Sequence, residues 1–262
     1  MTDHLLHRYV GDRRFLFMLP RAVCLQLLHP AIATGIWEHA LLRERIWQHK
    51  KRTVTMAVDI AYTDSDLRSV IRFGHEHVKG HTPDGGKYHA LDPELFHFQH
   101  ATYVESLVTM VNTFVRPLDK DEHERLYQQC CDWYRKYGIS ARAMPPDWPS
   151  FRKYFESYCR TELSAGEHFE RFRDEIFAPS DWWPARVPRG AIRAMQHETA
   201  MELTGVQPSA RDRRALRTFA GLCRAGATIP ALRAPAKVRK VRETLGVSAG
   251  DARGRAEGLG KR

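Results

Sequence analysis

Apolar residues recur along this chain at steps of three and four far more often than in alternation, a period that predicts helices and very few strands. Capping and breaking residues divide that pattern. The first helix is expected over 13–28, ending near Pro30, with others over 31–48 and 52–61. Asp64 then opens a helix over 64–78, closed by Gly80 and the turn Pro83-Asp84-Gly85-Gly86. Asp92-Pro93-Glu94 supplies an N-cap, a proline suited to the first helical position and an acidic first turn, starting a helix over 92–115 that Pro117 closes. The next spans 119–137, with Gly138 as its C-cap, and another covers 150–165 after the loop Met144-Pro145-Pro146-Asp147-Trp148-Pro149. Past an aromatic, proline-rich connection at 179–188, helices are expected over 189–203 and 209–224. No internal repeat is visible. The fold class expected is therefore all-α, a single multi-helix globular domain over 1–230 followed by a tail over 231–262.

Composition changes that picture little. With 43% hydrophobic and 27% charged residues, a 262-residue chain can bury one large core. The six Trp suit large buried side chains or a planar ligand. The net charge of +10 is unevenly spread: residues 231–262 hold nine Lys and Arg against three acidic residues, six of the ten excess charges. This stretch is rich in Ala and Gly and poor in aromatics, so it reads as a basic, partly disordered tail. Such a tail suits an anionic membrane surface. Nucleic acid is disfavoured as a partner, because the body carries no recognition-helix or RNA-binding signature. The five cysteines are odd in number, with one adjacent pair and no Cys-x-x-Cys, which fits a reducing compartment. No long apolar region follows the N-terminus, and no run reaches 18 apolar residues. The expected location is cytoplasmic, at most membrane-peripheral.

Candidate chemistry sits in the histidines, nine of which fall between His29 and His100. On the 64–78 helix, Leu67, Val70, Ile71, Gly74 and Val78 form a stripe at steps of three and four. His75 falls on it and His77 does not. Arg68, Arg72 and Lys79 flank His75 one turn apart. A neutral imidazole in apolar surroundings is what haem iron takes as an axial ligand, and nearby cations suit propionates. On spacing alone, a satisfied core histidine is the favoured reading. On the 92–115 helix, His97 and His100 point inward with Val104, Leu107, Val111 and Phe114. They can bind metal or hydrogen-bond buried carbonyls, and the second is slightly favoured.

Other chemistries lack a foothold. Glu94-Leu95-Phe96-His97 is one Glu-x-x-His match, but a four-helix di-iron site needs two. His-Glu-x-x-His, Gly-x-Ser-x-Gly, a Walker A sequence and a Gly-x-Gly-x-x-Gly after a strand are all absent.

The order of local motifs resembles the rubber oxygenase (latex-clearing protein) and MpaB-type oxygenase superfamily. Leu25-Gln26-Leu27-Leu28-His29-Pro30-Ala31 is similar to its early Gln-x-x-x-Pro junction, and Gly35-Ile36-Trp37-Glu38-His39 to its Gly-x-x-Glu-His segment. Arg52-Thr53 resembles the Arg-Thr step of the following helix. The run from Arg72 to Gly80 resembles the segment with the axial histidine. Tyr88-His89-Ala90-Leu91-Asp92-Pro93 resembles the Tyr-x-Ala-x-Asp-Pro block, with His100-Ala101 beyond it. The stretch from Met144-Pro145-Pro146-Asp147-Trp148 to Tyr154 resembles the later proline-rich entry. Together these cover roughly residues 16–230.

The resemblance implies a helical fold enclosing a haem b pocket and a haem-dependent oxidoreductase or oxygenase acting on an apolar substrate with O2. It implies His75 as proximal iron ligand, with Arg72, Lys79, Arg52 and His100 around the cofactor. Thr53 would border the pocket, and Glu38 is the carboxylate nominated for proton handling. A non-catalytic haem sensor or carrier is the alternative. Two departures stand out: His49 occupies a place where members often carry Arg, and Lys79-Gly80 replaces the Arg-His of some rubber oxygenases.

Overall fold

The computed structural model describes residues 4–41, 43–63 and 65–225; the basic segment expected over 231–262 lies outside the described residues. Twelve α-helices occur among them: α1 (Leu5–Tyr9), α2 (Arg13–Leu28), α3 (Pro30–His39), α4 (Ile46–Tyr62), α5 (Arg68–His75), α6 (Pro93–Met110), α7 (Lys120–Arg135), α8 (Trp148–Glu162), α9 (Glu167–Phe177), α10 (Arg189–Ala194), α11 (Glu198–Thr204) and α12 (Ala210–Ala225). The fold is all-α, and the one sheet described is the hairpin β1 (Lys79–His81) with β2 (Lys87–His89).

The centre is α2 packed on α6. Asp12 caps α2 by accepting from the Arg14 amide at 2.8 Å, and twelve of its sixteen residues are buried, so this helix is apolar all round. Asp92 caps α6, accepting from the Glu94 and Leu95 amides at 2.9 and 3.1 Å, with Pro93 in the first turn. The remaining helices wrap this pair. A reciprocal capping box, Asp119 with Glu122, starts α7, and Asp147 caps α8. At Pro30 the chain turns by 96° between α2 and α3. Among the described residues no single helix is long and apolar enough to cross a membrane.

The structure revises four sequence expectations. The helices expected over 31–48 and 52–61 break elsewhere: α3 stops at His39, and α4 runs unbroken from Ile46 through the basic run His49-Lys50-Lys51-Arg52. The helix expected to reach Val78 ends at His75, because the Val78 carbonyl accepts from Ala90 and the chain enters the hairpin. Its antiparallel register pairs Gly80 with Tyr88, and Gly85 (φ +89°) makes the turn. The 92–115 helix is α-helical only to Met110 and finishes in a π-helical turn, Val111–Val115. The 189–203 helix is two, α10 and α11, broken at Met195-Gln196-His197. Short α1 and the charged α9 were not anticipated; α9 buries Phe169, Phe172 and Ile176 at helical spacing.

Candidate functional site

His75 is the last residue of α5 and is half-buried. Its Nδ1–H donates to the Ile71 carbonyl one turn back at 2.8 Å. A carbonyl can only accept, so the proton resides on Nδ1 and the lone pair on Nε2. Burial holds the imidazole's pKa below its ordinary value, against the pull of the Ile71 bond, with His77 adding repulsion. The ring is therefore neutral at neutral pH, oriented, and able to offer Nε2 as a donor. Phe96 meets it edge-on at 5.5 Å. Through Phe96 the ring touches an aromatic cage, since Phe96 also packs against Tyr134 and Tyr137.

The helix that carries His75 is loosely held. Of its eight residues only Ile71 is buried, while Val70 is 47% and Phe73 87% exposed. The flanking Arg68 pairs with Asp66 at 2.6 Å in solvent. Gly74 faces open space, and a methyl group there would touch nothing.

On α4, His49 and Thr53 share a face one turn apart. His49 is pushed down to about 3, first by burial and then by repulsion from Lys50, Arg52 and His75. The Thr53 hydroxyl donates back to the Lys50 and His49 carbonyls, at 3.2 and 3.4 Å. Arg52 is exposed. Arg52, Arg72 and Lys79 have no ion pair among the described residues; Arg72 and Lys79 line a solvent-open hollow of about 660 Å³ with Phe73, Glu76 and His77.

Lys50, within the same basic run, points the other way. It is 1% exposed, and its ammonium nitrogen lies 2.6 Å from Gln26 Oε1, whose Nε2 in turn donates to Thr102 Oγ1 at 2.7 Å. Burial pushes Lys50 down to about 7. A basic tetrapeptide normally signals a solvated face, and that run masks this lysine. The helical step from Lys50 to buried Val54 and Ala57 was the available sign.

Glu38 and His100 sit away from this cluster. Tyr88 donates to Glu38 Oε2 at 2.6 Å, which raises the Tyr88 pKa, after burial, and fastens the hairpin to α3. Both groups close over Gly80: a Cβ there would meet the Tyr88 hydroxyl at 3.1 Å and the carboxylate at 3.2 Å. His100 is 5% exposed and gives Nε2 to the Cys130 carbonyl at 3.2 Å, directed at α7 and wedged against Trp133. His97 takes the Tyr154 hydroxyl on α8 at 3.1 Å. Of these two, His100 bonds a buried carbonyl whereas His97 bonds a tyrosine hydroxyl, and His100 Nδ1 is buried without a partner. No group of three or more His, Cys, Asp or Glu able to hold a metal ion exists among the described residues.

Compared with known families, residues 7–225 match the model described as "ER-bound oxygenase mpaB/B'/Rubber oxygenase, catalytic domain". The chain belongs to this family. Neither the curated proteins nor the solved structures give a match. Membership of the MpaB–rubber oxygenase family makes this an oxygenase-type enzyme, and the match spans all of the helices from α2 to α12. Whether the residues around α5 suit the haem implied by the family resemblance can be tested on their chemistry. A haem iron needs a neutral, oriented nitrogen donor with a free lone pair, and His75 Nε2 is one. Propionates need unpaired cations, and Arg52, Arg72 and Lys79 are such. The residues fit.

Proposed function

We propose that the chain is a haem b-dependent oxygenase with His75 as its proximal ligand, acting on a small apolar substrate with O2. The observation that carries this is the His75 ring: one nitrogen is fixed by the Ile71 carbonyl, the other is free, and burial keeps the ring neutral. Bound haem would supply the oxygen chemistry, which amino-acid side chains do not provide.

The chain's own residues would do four things. The Nδ1–H bond to Ile71 holds the ring plane and keeps electron density on Nε2, the outer-sphere role that ligand histidines need. Arg72 on α5, Lys79 in β1 rather than on the helix flank, and Arg52 on α4 would take the propionate carboxylates. Phe96 with Tyr134 and Tyr137 closes the inner side of the site with apolar surface. Glu38 accepts from the Tyr88 hydroxyl at 2.6 Å beside Gly80 and, outside the His75 cluster, is the carboxylate that would handle protons.

Support comes from the family match over 219 of 262 residues (7–225) together with this local chemistry. The test is porphyrin content. Recombinant protein supplied with haem should purify with stoichiometric haem b by its pyridine haemochrome spectrum. The reduced protein should react with dioxygen. Protein that stays colourless after haem supplementation overturns the reading.

A further inference from the structure

A second, larger cavity lies on another side of α6, among α6, α7, α8 and the α10–α11 junction, with a volume of about 1230 Å³. Neither His75 nor any residue of α4 or α5 lines it. One wall is aromatic: Trp148, Phe151 and Phe155 follow one another on α8 with near-parallel rings, 5.4 and 5.8 Å between successive centroids. Near it the π-helical turn Val111–Val115 brings Asn112 into the lining, where Asn112 accepts from the Leu118 amide at 2.8 Å and contacts His123 at 3.3 Å. Such turns within helices are frequent at functional sites.

The other wall is short of donors. Gln196 is 2% exposed, and its Nε2 donates to the Ile192 carbonyl at 2.9 Å, which fixes the amide's orientation. Its Oε1 is then a buried acceptor with no protein donor, at a position that lines the cavity. A buried acceptor left in this state is unfavourable, so the wall favours a ligand that donates. The charges agree. Five carboxylates and four cations line the cavity, although the chain as a whole is at +10. Arg21 is held by Glu105 through a forked bond (2.7–3.1 Å), and Arg152 and Arg160 are both held by Glu156. Glu198 and Glu202, both on α11, have no ion pair among the described residues. Of the wall cations only Lys120, the first residue of α7, is similarly unpaired.

We propose that this cavity binds a small organic ammonium ion, its apolar body along the α8 wall and its N–H groups on Gln196 Oε1, Glu198 and Glu202. An ammonium offers up to three donors and one positive charge, matching one orphaned acceptor and two free carboxylates; aromatic faces add cation–π attraction. A carboxylate or a neutral apolar molecule matches neither. The site is independent of the haem reading.

Calorimetric titration of the full-length protein with phenethylammonium, 3-phenylpropionate and 2-phenylethanol tests this. Phenethylammonium should bind, salt-sensitively, and the other two should not. Gln196→Leu, close in shape, should weaken binding at least tenfold. The double variant Glu198→Gln/Glu202→Gln should weaken it similarly and abolish the salt sensitivity. Both glutamates are exposed, so the double variant decides the matter even if Gln196→Leu fails to fold. His75→Ala should bind the amine as the parent does. Equal responses to all three probes, no response to phenethylammonium at millimolar concentration, or unchanged affinity in the glutamate variant would overturn the proposal.

Discussion

Both α6 and α5 carry histidines on a helix face turned toward the protein, yet the two regions use them differently. On α6, His97 and His100 are 2% and 5% exposed, bonded to Tyr154 and the Cys130 carbonyl, and locked among aromatic rings. On α5, His75 is half-buried on a helix with one buried residue, and one ring nitrogen has no protein partner. Bond count does not separate them, since His100 Nδ1 also lacks a partner; that ring is enclosed and so belongs to the packing. An oriented donor atom at a loosely held edge is available for ligand chemistry.

That contrast can be broken by mutation, and the largest effect belongs to the α2–α6 centre. Phe98 is fully buried and stacked on Tyr158 at 4.4 Å, so Phe98→Ala should lower unfolding free energy by about 3–5 kcal/mol in a urea melt. Lys50 comes next. Its folded pKa of about 7 lies below the ordinary lysine value of 10.5, so the unfolded chain holds more protons between those values and parent stability rises with pH across that window. The burden is full below pH 7. Lys50→Met should flatten this slope and stabilise the protein near pH 6 by about 1–3 kcal/mol, net of the acceptor it leaves on Gln26. An unaltered slope would show that Lys50 is not the titrating group. Tyr88→Phe removes one bond to the exposed Glu38 and should cost about 0.5–1 kcal/mol, with faster amide exchange in the hairpin. His75→Ala, in haem-free protein, should change stability least, by under about 0.5 kcal/mol in the same urea melt.

The same contrast governs what was legible in the sequence. Capped helices were readable because their signals are local: Asp92-Pro93, Asp119 with Glu122, and Gly138 after α7, at φ +70°. The α3–α4 break carries no Gly or Pro between Ala40 and Arg45, so the periodic pattern ran straight through it. The basic run of α4 looked like a boundary, whereas Lys50 is held in the core by Gln26, twenty-four residues away. His75 was found by its stripe, but the stripe overstated its surroundings: Val70 is exposed and Val78 belongs to the hairpin approach. Long-range partners decided the remainder. Tyr154 for His97, Cys130 for His100 and Tyr88 for Glu38 lie 30–57 residues away, beyond any periodicity.

The ligand role of His75 is tested most directly by haem titration of the parent and His75→Ala proteins, each with and without added imidazole. The account predicts a Soret band in the parent, its loss in His75→Ala, and its recovery when imidazole stands in for the missing ring. Equal haem retention by His75→Ala without imidazole would contradict it.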